Sequence, residues 1–353
     1  MILLIAPSNL NHMPYVKSYI DILNRYKYRY KIINWDRFNN EKETLNNIIY
    51  KDKKIGHRRN FFDYYKFSRC VKKEIKKLNP SKIIIFGIQL SFFLKGTIVE
   101  KFHNNYIIDI RDYNKIFNKR YFKKIFRCSN VNVISSNGYK KWLSRENDGI
   151  KYVINHNFNM SKQMLNSMEK IEAIANNDRI TISYIGSLSD KKVNDQLIDK
   201  LKNNSRYILR FIGEGIINNH LLDRINNEKI NNMYVEGYYE KELESQKYKE
   251  SELINMLMSK ENINNLTCLS NRLYNAAYNS KPLIVLEGSY MAKIVERHSL
   301  GLVLDNLDNI EYKIERYLED FDVVQYNNQR YLFMEKVIEE NNYFETVVKK
   351  FFD

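Results

Sequence analysis

ISYIGSLSDKKVNDQLID, residues 182–199, opens on an apolar run, breaks at Gly186 and crosses a polar loop. It resumes near Val193 with apolar residues at helical spacing. The first part has the largely apolar character of a strand buried on both faces; the last has the period of a helix. The same order recurs on either side. Strand candidates in the first half are 2–6, 30–33, 83–86, 106–110, 131–135 and 152–154; in the second they are 180–185, 208–212, 233–236, 283–286 and 301–304. Strands alternating with helical segments make parallel sheets with helices on both faces. The pattern runs twice, with a polar, Asn- and Met-containing seam at 159–177. We therefore expect an α/β protein of two doubly wound, Rossmann-like domains facing across a cleft. Residues 1–158 form the first domain, 159–177 a linker and 178–330 the second domain. Residues 331–353 form a helix that returns to the first. Ligands of such sheets bind outside the carboxyl ends of the strands.

Composition agrees. The chain has 353 residues, 44% hydrophobic and 13% aromatic. That suffices for two cores of about 150–180 residues and excludes global disorder. Cys70, Cys128 and Cys268 are too few and too far apart for a disulfide framework or a zinc site, and they suit a reducing cytoplasm. The opening MILLIAPSN lacks a basic leader and reads as a buried strand, not a signal peptide. The longest apolar stretch, 83–94, is interrupted by Gln89 and Ser91 and falls short of the roughly 20 residues of a membrane span. A cytoplasmic protein, soluble or peripheral on the membrane's inner face, is expected.

The net charge of +15 is unevenly placed. Residues 1–158 carry 32 Lys+Arg against 12 Asp+Glu, a charge of +20, and the remainder carries −5. AT-rich codon usage, which also raises Tyr to 27 against 11 Gly, accounts for abundant lysine but not for this asymmetry. A basic half suits an anionic partner: membrane phosphate, nucleic acid or a phosphorylated substrate. The excess has two foci. Residues 51–78 hold 11 basic and 3 acidic residues among Phe61, Phe62, Tyr64, Tyr65 and Phe67. Residues 113–127 hold 6 basic and no acidic residues, with Phe117, Tyr121, Phe122 and Phe126. Basic and aromatic residues at helical spacing read as an anionic-membrane surface, with Phe61, Phe62, Phe117 and Phe122 entering the interface. The plainer alternative turns the aromatics into the core and leaves the lysines solvated.

Four stretches of the second half end strands in polar or glycine-containing loops. In the first, backbone N–H groups of the loop after Gly186, with Lys192 or Lys191, are placed to hold phosphate; an ordinary surface lysine is the alternative. LRFIGEGI ends a strand in Gly213-Glu214-Gly215, a tight turn or a close backbone approach. VEGYYEKEL does so at Gly237. In SNRLYNAAYNSKPLIVLEGSYMAKIVERHSLGLVLD, residues 270–305, a helix capped near Ser270 or Asn271 leads through Lys281-Pro282 into a buried strand. That strand ends at Glu287-Gly288-Ser289, where a glutamate could meet ligand hydroxyls or simply cap a helix.

Taken in order, residues 180–305 resemble the donor-binding domain of retaining family 4 glycosyltransferases, which have the two-domain GT-B fold. The family's G-R-L-x-x-x-K-G-x-d-x-L-i pattern matches Gly186, Leu188, Lys192, Asp195, Leu197 and Ile198. Its v-G-x-G matches 212–215, its v-x-f-x-G matches 233–237, and its n-K-l-y and k-P-v-I match 271–274 and 281–284. The resemblance implies donor contacts at Gly186, Ser187, Lys191, Lys192, Gly213, Glu214, Asn271, Arg272, Asn275, Glu287, Gly288 and Ser289. The family's paired glutamates would fall at Thr267 and Asn275, neither acidic; Asn275 keeps the capacity to hydrogen-bond a ribose hydroxyl. The family's arginine after Gly186 is Ser187 here, and Arg272 stands as its replacement.

In the first half, APSNLNHMPYVKSYIDIL looks like the first strand, acceptor-side loop and first helix of such enzymes, with Pro14 in a first helical turn. YIIDIRDYN and VISSNGYKKWL resemble strand edges of enzymes that build capsular or other surface polysaccharides. His12 is a candidate acceptor-orienting group or base, or a surface loop histidine. Arg111 is placed to meet phosphate and Asp109 or Asp112 a sugar hydroxyl, with a structural ion pair as the alternative. His156 ends another strand near the hinge. Asp320-Phe321-Asp322 spells the metal motif of a different transferase fold but lies in a helical tail without a phosphate loop, so no metal is assigned.

The resemblance implies a metal-independent hexosyltransferase, retaining in outcome, with a nucleotide-sugar as co-substrate and no other cofactor. Its acceptor would be a glycan, lipid-linked in the leading reading. Alternatives are a non-catalytic scaffold of a polysaccharide assembly complex, motivated by Thr267 and Asn275, and a nucleic-acid binder using the basic half. The latter leaves the four donor-domain stretches unexplained, and no nucleic acid is expected.

Overall fold

The computed structural model describes residues 1–143, 149–173 and 178–353. The chain divides into two compact units: Met1–Asn157 with Glu340–Asp353, and Phe158–Glu339.

In the first unit seven parallel strands are ordered β3-β2-β1-β4-β5-β6-β7. They are β1 Ile2–Ala6, β2 Tyr30–Asp36, β3 Asn47–Lys51, β4 Lys82–Phe86, β5 Tyr106–Ile110, β6 Val131–Ile134 and β7 Tyr152–Ile154. Every residue of β1 and β5 is buried, as a strand covered by helices on both faces requires. The order reverses beside β1, so β1 and β4 flank the switch point of this sheet. Strand β3 escapes the sequence reading because its pattern is only half-buried at the sheet edge.

The second unit has six parallel strands ordered β10-β9-β8-β11-β12-β13. They are β8 Ile180–Ile185, β9 Tyr207–Ile212, β10 Met233–Glu236, β11 Leu253–Asn255, β12 Leu283–Leu286 and β13 Gly301–Leu304. Strand β11 was also missed. It has three residues, too few to show a period, yet it pairs with both β8 and β12 at the centre of the sheet. The switch point falls between β8 and β11. Two apolar clusters fill the faces, one around Leu273, Tyr274 and Val285, the other around Tyr184, Leu197 and Phe211.

The terminal helix differs from expectation. It starts earlier, at Val323, and runs to Phe352. Of the residues expected to cover the first domain, Phe344 and Phe351 enter that unit's core and Val347 packs against it. Phe333 and Val337 belong to the second unit's core instead, and Tyr331 is exposed. Asp322 caps this helix, accepting the Gln325 N–H at 2.8 Å, and Asp320 pairs with Arg316 at 3.1 Å. The Asp-Phe-Asp stretch is thus a helix junction. Part of the 159–177 seam, residues 174–177, lies outside the described residues.

Candidate functional site

At the carboxyl edge of the second sheet, the loops that follow β8 and β9 are pressed together backbone to backbone. The Gly186 N–H donates to the Ile212 carbonyl at 2.9 Å and the Leu188 N–H to the Glu214 carbonyl at 3.1 Å. A Cβ on Gly213 would stand 2.2 Å from the Gly186 oxygen, and one on Gly215 would stand 2.0 Å from the Leu188 oxygen. Both glycines are there because nothing larger fits. Gly186 differs: its surroundings are open, and its φ of +117° supplies the reason for glycine. Beside this seam lies a pocket of about 370 Å³ lined by Gly186, Ser187, Gly213, Glu214, Tyr238, Tyr239, Lys241 and Glu244.

A buried polar network holds the β8 loop. The Tyr184 hydroxyl donates to the Ser187 carbonyl at 3.1 Å and accepts the Ser189 N–H at 3.3 Å. Asn194, in the first turn of the Lys191–Leu201 helix, donates to the carbonyls of Ser189 and Asp190. Its amide oxygen accepts from Asn255, at the end of β11, at 2.9 Å. The Asn255 carbonyl in turn accepts from Arg272 at 2.7 Å. The guanidinium of Arg272 lies 3.7 Å over the Tyr184 ring, a cation–π stack that aims a fixed positive charge at the switch point.

The other expected donor contacts sort as follows. Lys192 pairs with Glu261 at 2.6 Å, and both side chains are largely exposed. Lys191 is exposed on the same turn. Ser270 caps the Asn271–Tyr278 helix; exposed Asn271 opens that helix and half-buried Asn275 follows Arg272 by one turn. Ser289 caps the Tyr290–Arg297 helix through the Ala292 N–H at 3.0 Å. Glu287 lies 3.8 Å from Lys260, whose stem also borders Gly288. Thr267 is buried and donates to the Ile263 carbonyl of its own helix at 2.7 Å. Tyr184, Asn194, Asn255 and the Tyr238-Tyr239 pair were not singled out in the sequence. The tyrosines directly follow Gly237, which was the available signal.

In the first unit Asp109 and Arg111 form the buried ion pair given above as an alternative. Arg111 donates to both Asp109 oxygens at 2.5 and 2.7 Å and to the Asn155 carbonyl at 2.8 Å, and it stacks on Tyr15. Asp109 also accepts from Tyr19 at 2.8 Å and is fully buried. Both groups are thereby occupied within the unit. Asp112 is exposed next to them. His12 is exposed in a short turn, with its ring 4.4 Å from Phe38 and 5.4 Å from His57. Partial burial, with the neighbouring His57 second, lowers its pKa below 6.5. Buried Asn9 and Asp36 shape this loop: Asn9 donates to Asp36 at 2.7 Å and accepts the Arg37 N–H at 2.7 Å. His156 lies 2.5 Å from Glu340, at the start of the tail segment of this unit. Among the described residues, no group of three His, Cys, Asp or Glu is placed to hold a metal ion, and no helix is long and apolar enough to cross a membrane.

No protein-family model matches the chain, and no curated protein does. Solved structures do. Sucrose-phosphate synthase from Thermosynechococcus elongatus superposes with a TM-score of 0.68 at 12% identity, covering 98% of this chain and 96% of that one. Anabaena HepE, in complex with UDP and glucose, gives 0.62 at 12% identity over 98% of both chains. A glycosyltransferase from Rickettsia africae gives 0.64 at 15% identity over 99% and 96%. The fold is that of the GT-B glycosyltransferases.

Proposed function

We propose that this chain is a glycosyltransferase that moves a sugar from a nucleotide-sugar onto a surface-glycan acceptor, lipid-linked and with retention at the transferred carbon. The observation that carries the reading is the Arg272–Tyr184 stack beside the paired glycine loops, at the switch point where sheets of this kind bind ligands. Complexes with UDP and glucose in a protein of the same fold support it.

In this reading the pocket beside Gly186 and Gly213 takes the nucleoside, with Tyr238 and Tyr239 as stacking surfaces. As the bond between the sugar and the diphosphate breaks, negative charge grows on the leaving phosphate. Arg272 and the N–H groups of the β8 loop are fixed donors for that charge, already oriented before reaction. Lys192 joins them by exchanging Glu261 for phosphate, a small loss because exposed pairs are worth about 0–1 kcal/mol. His12 orients the acceptor. Incubation with nucleotide-sugars and lipid-extracted glycans tests the reading: nucleoside diphosphate should be released only with acceptor present, and a sugar should appear on it.

A second reading, a non-catalytic transferase-like scaffold, is favoured by Thr267 and Asn275. Neither supplies a carboxylate, and Thr267 is turned into its own helix. Nucleotide binding without release of diphosphate would favour it.

A further inference from the structure

The aromatics of the first unit do not all behave as the sequence suggests. In the Lys119–Arg127 helix, Phe122 and Phe126 turn inward and are buried, so Phe122 is unable to enter any interface. Phe117 is packed against both of them and Trp142. In the Phe61–Leu78 helix the reverse holds. Phe67, Val71 and Ile75 supply the core, while Phe61, Phe62, Tyr65, Lys66 and Arg69 share the outer face at spacing i, i+1, i+4, i+5, i+8. Phe61 is 55% exposed, Phe62 70% and Tyr65 48%.

These rings are the start of a continuous strip across three helices. Phe61 lies 4.7 Å from Phe93 and 6.4 Å from Phe92 in the Ile88–Lys101 helix. Phe92 lies 5.3 Å from Tyr121, which is 37% exposed. The Lys95 ammonium sits 3.9 Å over the Tyr121 ring. Around the strip, Lys66, Arg69, Arg120, Lys123 and Lys124 are exposed and make no ion pair with a described residue. Two of the three carboxylates of residues 51–78 are used elsewhere: Asp63 is buried and held by Lys54 at 2.6 Å, and Asp52 by Arg59 at 3.0 Å. Residues 113–127 contain no acid at all.

We infer that this strip is a docking face for an anionic lipid bilayer. Exposed phenylalanines and tyrosines occupy the depth of the headgroups, and the unopposed cations beside them complement lipid phosphate. An acidic protein partner would match the charge but gives no reason for two adjacent, protruding phenylalanines at a helix start. The inference does not depend on the transferase reading, because it concerns only this face.

The test is co-sedimentation of the full chain with two kinds of vesicle: pure phosphatidylcholine, and phosphatidylcholine with phosphatidylglycerol in equal parts. Binding should require the anionic lipid and weaken with salt. Neutralising Arg120, Lys123 and Lys124 to Gln should weaken it about fivefold per cation. Phe61→Ser with Phe62→Ser should weaken it about tenfold or more. Arg120, Lys123, Lys124 and Phe62 project outward and Phe61 gives up only its ring contact with Phe93, so both variants should stay folded, with melting temperatures within about 5 °C of the parent. A Phe62→Trp protein should also show fluorescence quenched by brominated lipid beyond the parent's own signal. Equal binding to both vesicles, binding to neither, undiminished binding by either variant, or binding to an arbitrary oligonucleotide in place of vesicles would overturn the inference.

Discussion

The guanidinium of Arg272 rests 3.7 Å above the ring of Tyr184, and the Tyr184 hydroxyl holds the loop that follows β8. One residue thus supplies charge at the switch point and the other fixes the backbone that frames it. Arg272→Ala removes the stack and the bond to the Asn255 carbonyl, and should cost about 2 kcal/mol of stability. Arg272→Lys keeps the charge but not the planar fork and should recover only part of it. Chemical denaturation of the three proteins measures this.

The paired loops give an ordering of glycine variants. Gly213→Ala drives a methyl into the Gly186 carbonyl, and Gly215→Ala does the same to Leu188. Each should cost about 1–3 kcal/mol or more, because backbone has to move. Gly186→Ala meets no atom and should cost about 1–2 kcal/mol, the conformational term alone. Thermal melting should rank Gly186→Ala as the mildest.

Asp109→Asn should destabilise by about 3–5 kcal/mol, since it strands the buried Arg111. Exposed Asp112→Asn should stay within about 0.5 kcal/mol. The pair of variants separates a structural carboxylate from a solvent-facing one three residues on from it in sequence.

An acid-sensitive cluster surrounds Arg224, which bonds Asp195, Asp199 and Glu228. Arg224 first, then Lys202, depress the Glu228 pKa from 4.5 to about 2. Its folded value lies below its unfolded one, so the contribution is present above pH 4.5 and is lost as pH falls toward 2. Arg224→Met should flatten the stability profile across that window relative to the parent. Urea unfolding at stepped pH reads it.

Most strands were legible because parallel strands covered on both faces are near-continuous apolar runs, as in β1 and β12. Two were not. β3 is a half-buried edge strand, and β11 is three residues long, held centrally by neighbours distant in sequence. The glycines of the candidate site were legible as backbone requirements; which backbone they approach was not, since that is a contact between separate loops. The Asn194–Asn255 bond and the Arg272–Tyr184 stack join residues 61 and 88 positions apart, a pairing that only the sheet order creates. Likewise, the spacing of Phe61, Phe62 and Phe122 says that a face is aromatic, not which face points inward.

Nucleotide-sugar binding by the second unit is measured most directly through the melting temperature of the full chain against a panel of nucleotide-sugars. Ligand that binds only the folded state stabilises it by about 2.7 kcal/mol at a hundredfold excess over Kd. At least one nucleotide-sugar should raise the melting temperature, and Arg272→Ala should shift that dose response to tenfold or higher concentration. No shift with any member of the panel, or the same response in Arg272→Ala, would contradict it.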